Sequence, residues 1–101
     1  MADVGFTRSA VADLSEIDEF SLVQFGEQAC EAYMRGFDGA FALLRDHPYA
    51  GAATTEFGEA YRCLVHQKHR IFYTVENDWV LIVRVLHHAR DARTALGRAG
   101  K

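Results

Sequence analysis

The chain has 101 residues, half of them hydrophobic and a quarter charged, with a net charge of −3. That length supports one domain with a single modest core, and the composition excludes an intrinsically disordered chain. No apolar run is long enough to span a bilayer, and the start "MADVGFTRSA" has no apolar signal core behind a basic lead. A cytoplasmic location without a membrane partner is expected.

Residues 3–6 are predicted as a short first strand. Thr7 or Ser9 then offers a side-chain oxygen to cap a helix over about 8–25. Leu14, Ile17, Phe20 or Ser21, and Phe25 recur near helical spacing, while Asp13, Glu16, Asp18 and Glu19 cover much of the remaining surface. Gly26 suits the stop, because glycine accepts the left-handed conformation that follows many helices. A second helix over about 27–46 carries Cys30, Tyr33, Phe37, Phe41 and Leu44 on one stripe. Gly36 and Gly39 lie inside it, each costing roughly 1 kcal/mol of propensity against alanine, so close contact with a neighbouring helix is expected there. A one-residue break between two amphipathic helices favours an antiparallel hairpin. Pro48 in "HPYAG" ends the second helix, since proline disfavours helical geometry in the residue before it.

After a loop of small residues, a meander of strands is expected over about 61–87, followed by a short C-terminal tail. Gln67–Lys68 sits at or near the first turn and "END" (residues 76–78) forms the second. A three-residue second loop puts Ile71, Tyr73, Val75, Trp79, Leu81, Val83 and Val85 on one apolar face, ready to receive the hairpin. The other face then holds Arg70, Phe72, Thr74, Val80, Ile82 and Arg84. It also holds Arg62, Leu64 and His66 if Cys63 and Val65 point inward. The predicted architecture is α+β: an N-terminal helical hairpin on one face of a small, mainly antiparallel β-sheet, in a single domain spanning 1–101.

Charge is unevenly placed. From Arg62 onward there are eight basic and three acidic residues; before it there are three basic and eleven acidic. The second half is therefore suited to something anionic, whereas the acids of the first half solvate helix faces. Cys30 and Cys63 stand far apart without ligand spacing and read as reduced thiols. His66, His69, His87 and His88 cluster in the stranded half, but parity puts His66 and His88 on one face and His69 and His87 on the other. No metal site and no cofactor are expected. No GxSxG or glycine-rich phosphate loop is present. Phosphodiester chemistry by arginines with a histidine acid or base is the enzymatic option the residues leave open.

Four stretches carry a resemblance over about ninety residues: "ADLSEIDEF" followed by "FG", "LLRDHPYAG", "YRCLVHQKHRIFYTV" and "IVRVLHHARD". In that order they resemble the ParE branch of the RelE/ParE superfamily, toxins of bacterial toxin–antitoxin pairs. The resemblance implies a toxin neutralised by a cognate antitoxin whose C-terminal segment wraps the hairpin and sheet, and DNA gyrase as the target, poisoned without catalysis. Antitoxin contacts are then expected at Asp18, Phe20, Leu22, Phe25, Tyr33 and Phe37. Target or partner contacts are expected at Arg62, Arg70, Phe72, Arg84, His88 and Arg90. The alternative is a ribosome-dependent messenger RNA endoribonuclease of RelE type, in which Arg62, Arg84 and His87 would do the chemistry. The acidic total makes direct nucleic-acid binding weak or absent, and a matching carboxylate base or terminal tyrosine is missing. No catalytic residues are expected on the gyrase reading.

Overall fold

A computed structural model describes residues 1–56 and 58–89. The chain runs β1 (Asp3–Phe6), α1 (Arg8–Phe25), α2 (Glu27–Asp46), β2 (Ala52–Thr54), β3 (Tyr61–His66), β4 (His69–Glu76) and β5 (Trp79–His87). The five strands form one sheet in the order β1-β5-β4-β3-β2, antiparallel except where β1 runs parallel to β5. The helical hairpin packs on one face, as the sequence predicts. The short edge strand β2 is the element that the sequence reading leaves as loop.

Local chemistry explains the helix ends. Thr7 Oγ1 accepts the Ala10 amide at 3.0 Å and donates to the Val83 carbonyl at 2.8 Å, so one hydroxyl caps α1 and ties it to the sheet. Gly26 adopts φ 88°, where a side chain would be strained. Its N–H bonds the Leu22 carbonyl while its own carbonyl accepts the Cys30 amide, so a single residue ends one helix and begins the next. The Cys30 thiol donates back to Asp18 across the hairpin, 3.2 Å from Oδ1.

The core joins Ala10, Phe37, Ala40, Phe41 and Leu44 from the helices to Ile71, Tyr73, Val80, Ile82 and Val85 from the sheet. Gly36 makes its expected close approach, but to the sheet: a Cβ there would sit 2.7 Å from the His66 ring. Gly39 has nothing within 4 Å, so it gains no such compensation.

Strand parity departs from expectation in two places. Asn77 and Asp78 make a two-residue turn, with Glu76 opposite Trp79, so Val80 and Ile82 face the core and Trp79 (54 % exposed) and Leu81 do not. A bulge then places Ile82 opposite Tyr73 but Arg84 opposite Phe72, leaving Val83 as the extra residue. Val85 thereby returns to the core opposite Ile71, and Arg84 stays off its apolar centre. The second departure is β3. Gln67 takes φ 55° in another two-residue turn that sets His66 opposite His69. Leu64 and His66 therefore face the helices, whereas Cys63 joins Phe72 and Leu86 on the outer side and Val65 is exposed. His66 and His69 share a face, contrary to the parity assignment.

One polar cluster holds α1 to the sheet. β1 covers β5 only from Trp79 to Ile82. Beyond that, the Asp13 carboxylate supplies what a further strand residue would. Oδ2 accepts the Val85 amide at 3.0 Å and Arg84 Nε at 2.7 Å, and Oδ1 accepts Arg84 Nη2 at 2.8 Å. Both side chains are only 8 % exposed. The hydrogen bonds to Asp13 hold the Arg84 guanidinium above its ordinary pKa against the opposing cost of burial.

Removing one member of such a pair strands the other, at a cost of about 3–5 kcal/mol. Arg84→Met is therefore expected to destabilise the fold by about 3 kcal/mol or more, measured by denaturant unfolding. Adding Asp13→Leu should recover part of that loss rather than double it, because no buried charge then remains.

Candidate functional site

Beyond the Asp13 cluster, α1, α2, the β3–β4 turn and the end of β5 enclose an open groove of about 720 Å³. Ile17, Phe20 and Phe25 of α1, Ala29 and Tyr33 of α2, and Val85, Leu86 and His87 of β5 form much of its lining. Phe20 is 61 % and Phe25 67 % exposed. Two aromatic rings on the apolar side of a hairpin, left uncovered beside a strand end, form the kind of patch that marks an interaction site. Helical periodicity leaves the stripe position to Phe20 or Ser21; in the fold Ser21 is the buried one and Phe20 overhangs the groove.

At one end of the groove Tyr33 Oη lies 2.5 Å from His69 Nδ1. Burial, reinforced by the neighbouring His87, His66 and His88, pushes His69 down to about 4, and burial raises Tyr33. Both groups are thus neutral at neutral pH, and with the ring in its Nε2–H tautomer the hydroxyl donates to Nδ1. The His66 ring stacks edge-on against Phe37, with centroids 4.7 Å apart, and burial lowers its pKa as well. Among the described residues no group of three His, Cys, Asp or Glu side chains could hold a metal ion.

The groove gathers three of the six residues expected at the antitoxin contact: Phe20, Phe25 and Tyr33. Asp18 is tied to Cys30, Leu22 is exposed outside the groove lining, and Phe37 is 1 % exposed inside the core. The target residues are more scattered. Arg62 donates to the carbonyls of Gly51 (2.8 Å) and Tyr49 (3.2 Å), stapling the loop after α2. Arg70 pairs with Glu56 at 2.9 Å and lies over the Phe72 ring, whose side chain is fully buried. Arg84 is held by Asp13, His88 is exposed, and Arg90 lies outside the described residues. Arg62, Arg84 and His87 do not converge: they serve the loop after α2, the α1 contact and the groove respectively. Ten of the fourteen lining residues, among them the two carboxylates Asp13 and Glu16, are not assigned to a site from the sequence. The carboxylates' spacing of three on an acidic helix gave only the signal of a solvated face.

Unfolded His69 titrates near 6.5 and folded His69 near 4. Between those values the unfolded chain binds a proton that the folded chain refuses, so His69's contribution is complete above the unfolded value and is lost as pH falls toward 4. After allowance for partial solvent exposure this is about 1–2 kcal/mol. Thermal unfolding followed from pH 7 down to about pH 4.5 should show falling stability, with a shallower fall in His69→Gln.

Compared with known proteins, residues 4–92 match the model of the ParE toxin of type II toxin–antitoxin systems, parDE. The chain is 32% identical over 91 residues to Toxin ParE1 of Caulobacter vibrioides, covering 90% of this chain and 94% of that one. It is also 32% identical over 84 residues to Toxin ParE1 of Mycobacterium tuberculosis, covering 82% and 86% of the two chains. A solved structure of the chromosomal ParDE TA system from P. aeruginosa shares the fold, with a TM-score of 0.72 at 20% identity over 86% of this chain and 96% of that one. The hairpin on its five-stranded sheet, the family match along nearly the whole chain and the curated relatives agree: this chain belongs to the ParE toxin family of type II toxin–antitoxin systems.

Proposed function

We propose that this toxin acts by binding DNA gyrase and poisoning it on DNA, without a reaction of its own. On this reading an antitoxin encoded with it neutralises it by occupying the groove between the hairpin and β5. The observation that carries the non-enzymatic part is the fate of the arginines. A ribonuclease of this fold would need Arg62 and Arg84 directed at a phosphate, but Arg62 is bonded to two loop carbonyls and Arg84 to a buried carboxylate. Redirecting Arg84 would leave Asp13 with an uncompensated buried charge.

Gyrase as the target is supported by membership of the ParE family. The net charge of −3 favours a protein target over unaided binding to a polyanion. The antitoxin is supported by the exposed apolar groove, a form suited to an amphipathic segment. It is also supported by the solved relative of this fold, which comes from a toxin–antitoxin system. A cytoplasmic setting suits both partners; among the described residues no helix is long and apolar enough to cross a membrane.

Expression without the antitoxin is expected to stop growth and induce the DNA-damage response. With purified gyrase, DNA and ATP the toxin should trap cleaved DNA, and primer extension on transcripts from intoxicated cells should find them unbroken. Normal supercoiling at saturating toxin overturns the target assignment, and cut transcripts overturn the non-enzymatic one.

A further inference from the structure

The groove has an electrical direction. At its α1 end stand two carboxylates, Asp13 and Glu16. Asp13 is already compensated by the Arg84 guanidinium and the Val85 amide. Glu16, a turn further along the same helix, is exposed on the rim. It is near enough to Arg84 to help raise that group's pKa, but the pair Asp13–Arg84 is itself neutral, so this end keeps one net negative charge. From Val85, where Asp13 docks, β5 runs two residues on to His87, which pairs with His69. Lys68 follows in the adjoining turn, its carbonyl accepting the His88 amide. That end offers the Lys68 ammonium and, among the described residues, no carboxylate in the lining. Between the ends the surface is apolar.

We propose that Glu16 sets the partner's charge pattern. The occupant is an amphipathic protein segment that places a basic side chain over Glu16, buries its apolar stripe along the exposed rings of Phe20 and Phe25, and turns an acidic side chain toward Lys68. This rests on the reading of the groove as the antitoxin site, and it adds the direction in which the segment lies and the residue that discriminates among partners. Charge at a rim governs choice of partner and association rate more than it governs the apolar contact beneath.

The test uses the full toxin and the purified antitoxin encoded with it, with affinity measured by calorimetry at low and moderate salt. Glu16→Lys is expected to weaken binding about 10- to 100-fold, and Glu16→Gln by less, with a shallower salt dependence in both. Asp38→Lys, the same change of charge at an exposed α2 position outside the groove lining, should leave affinity near the parent value. Phe20→Ala reports on the groove itself and should cost more than about 30-fold. Reversing one basic residue of the antitoxin to Glu should restore binding to Glu16→Lys and not to the parent toxin. Loss on Phe20→Ala with no effect of Glu16→Lys overturns the charge assignment and leaves the groove as the site. Parent affinity in both variants overturns the groove as the antitoxin site. Self-association of the toxin that Phe20→Ala abolishes would assign the groove to a second copy and overturn both.

Discussion

The buried carboxylate of Asp13 is the constraint on which the rest of the structure depends. It stands where a longer β1 would have continued along β5, accepting the Val85 amide and both near nitrogens of Arg84. A hydrogen-bonded edge in a dry setting must be satisfied by something. Here a helix side chain does it, aided by Thr7 at the Val83 carbonyl. The consequence is geometric. α1 docks on the β5 edge through Asp13, and further along the helix Phe20 and Phe25 stay exposed over a groove instead of joining the core.

The same contact decides what Arg84 can do. The second half of the chain is basic by composition, and its three arginines among the described residues are engaged in building the fold. Arg84 anchors α1, Arg62 holds the loop that carries Gly51, and Arg70 pairs with Glu56 across the outer face. Gly51 has its own reason to be small, because a Cβ there would meet the Cys63 carbonyl and the Tyr73 hydroxyl at 2.7 Å. Buried or bonded cations of this kind give little long-range attraction for nucleic acid. The described groove offers an apolar surface with Glu16 at one end and Lys68 at the other.

Much of the architecture was legible from local rules. Apolar spacing and Gly26 place both helices at the observed bounds, and alternation with turn residues places β4 and β5. Faces were harder. Parity propagates from a turn, so reading "END" as a three-residue loop moved Trp79 and Leu81 into the core and Val80 and Ile82 out of it. The bulge at Val83 then restored Val85, and no periodicity in the sequence marks that extra residue. β3 was inverted for the same reason, through the tight turn at Gln67–Lys68. The Asp13–Arg84 pair was invisible because it joins residues 71 positions apart, and an aspartate on an acidic helix looks like any solvated charge until the fold brings its partner. Within the candidate site, the aromatic residues could be picked out as a helical stripe. Which of them pack inward, as Phe37 does, and which stay uncovered, as Phe20 does, depends on where the sheet ends.

Amide hydrogen exchange on the toxin alone and bound to its antitoxin tests most directly whether this open groove is the surface through which the toxin is controlled. The account predicts added protection along the second half of α1, the start of α2 and the C-terminal end of β5 from about Val85 to His87, with β2 unchanged. Protection confined to the outer sheet face around Trp79 and Leu81, or to β2, would contradict it.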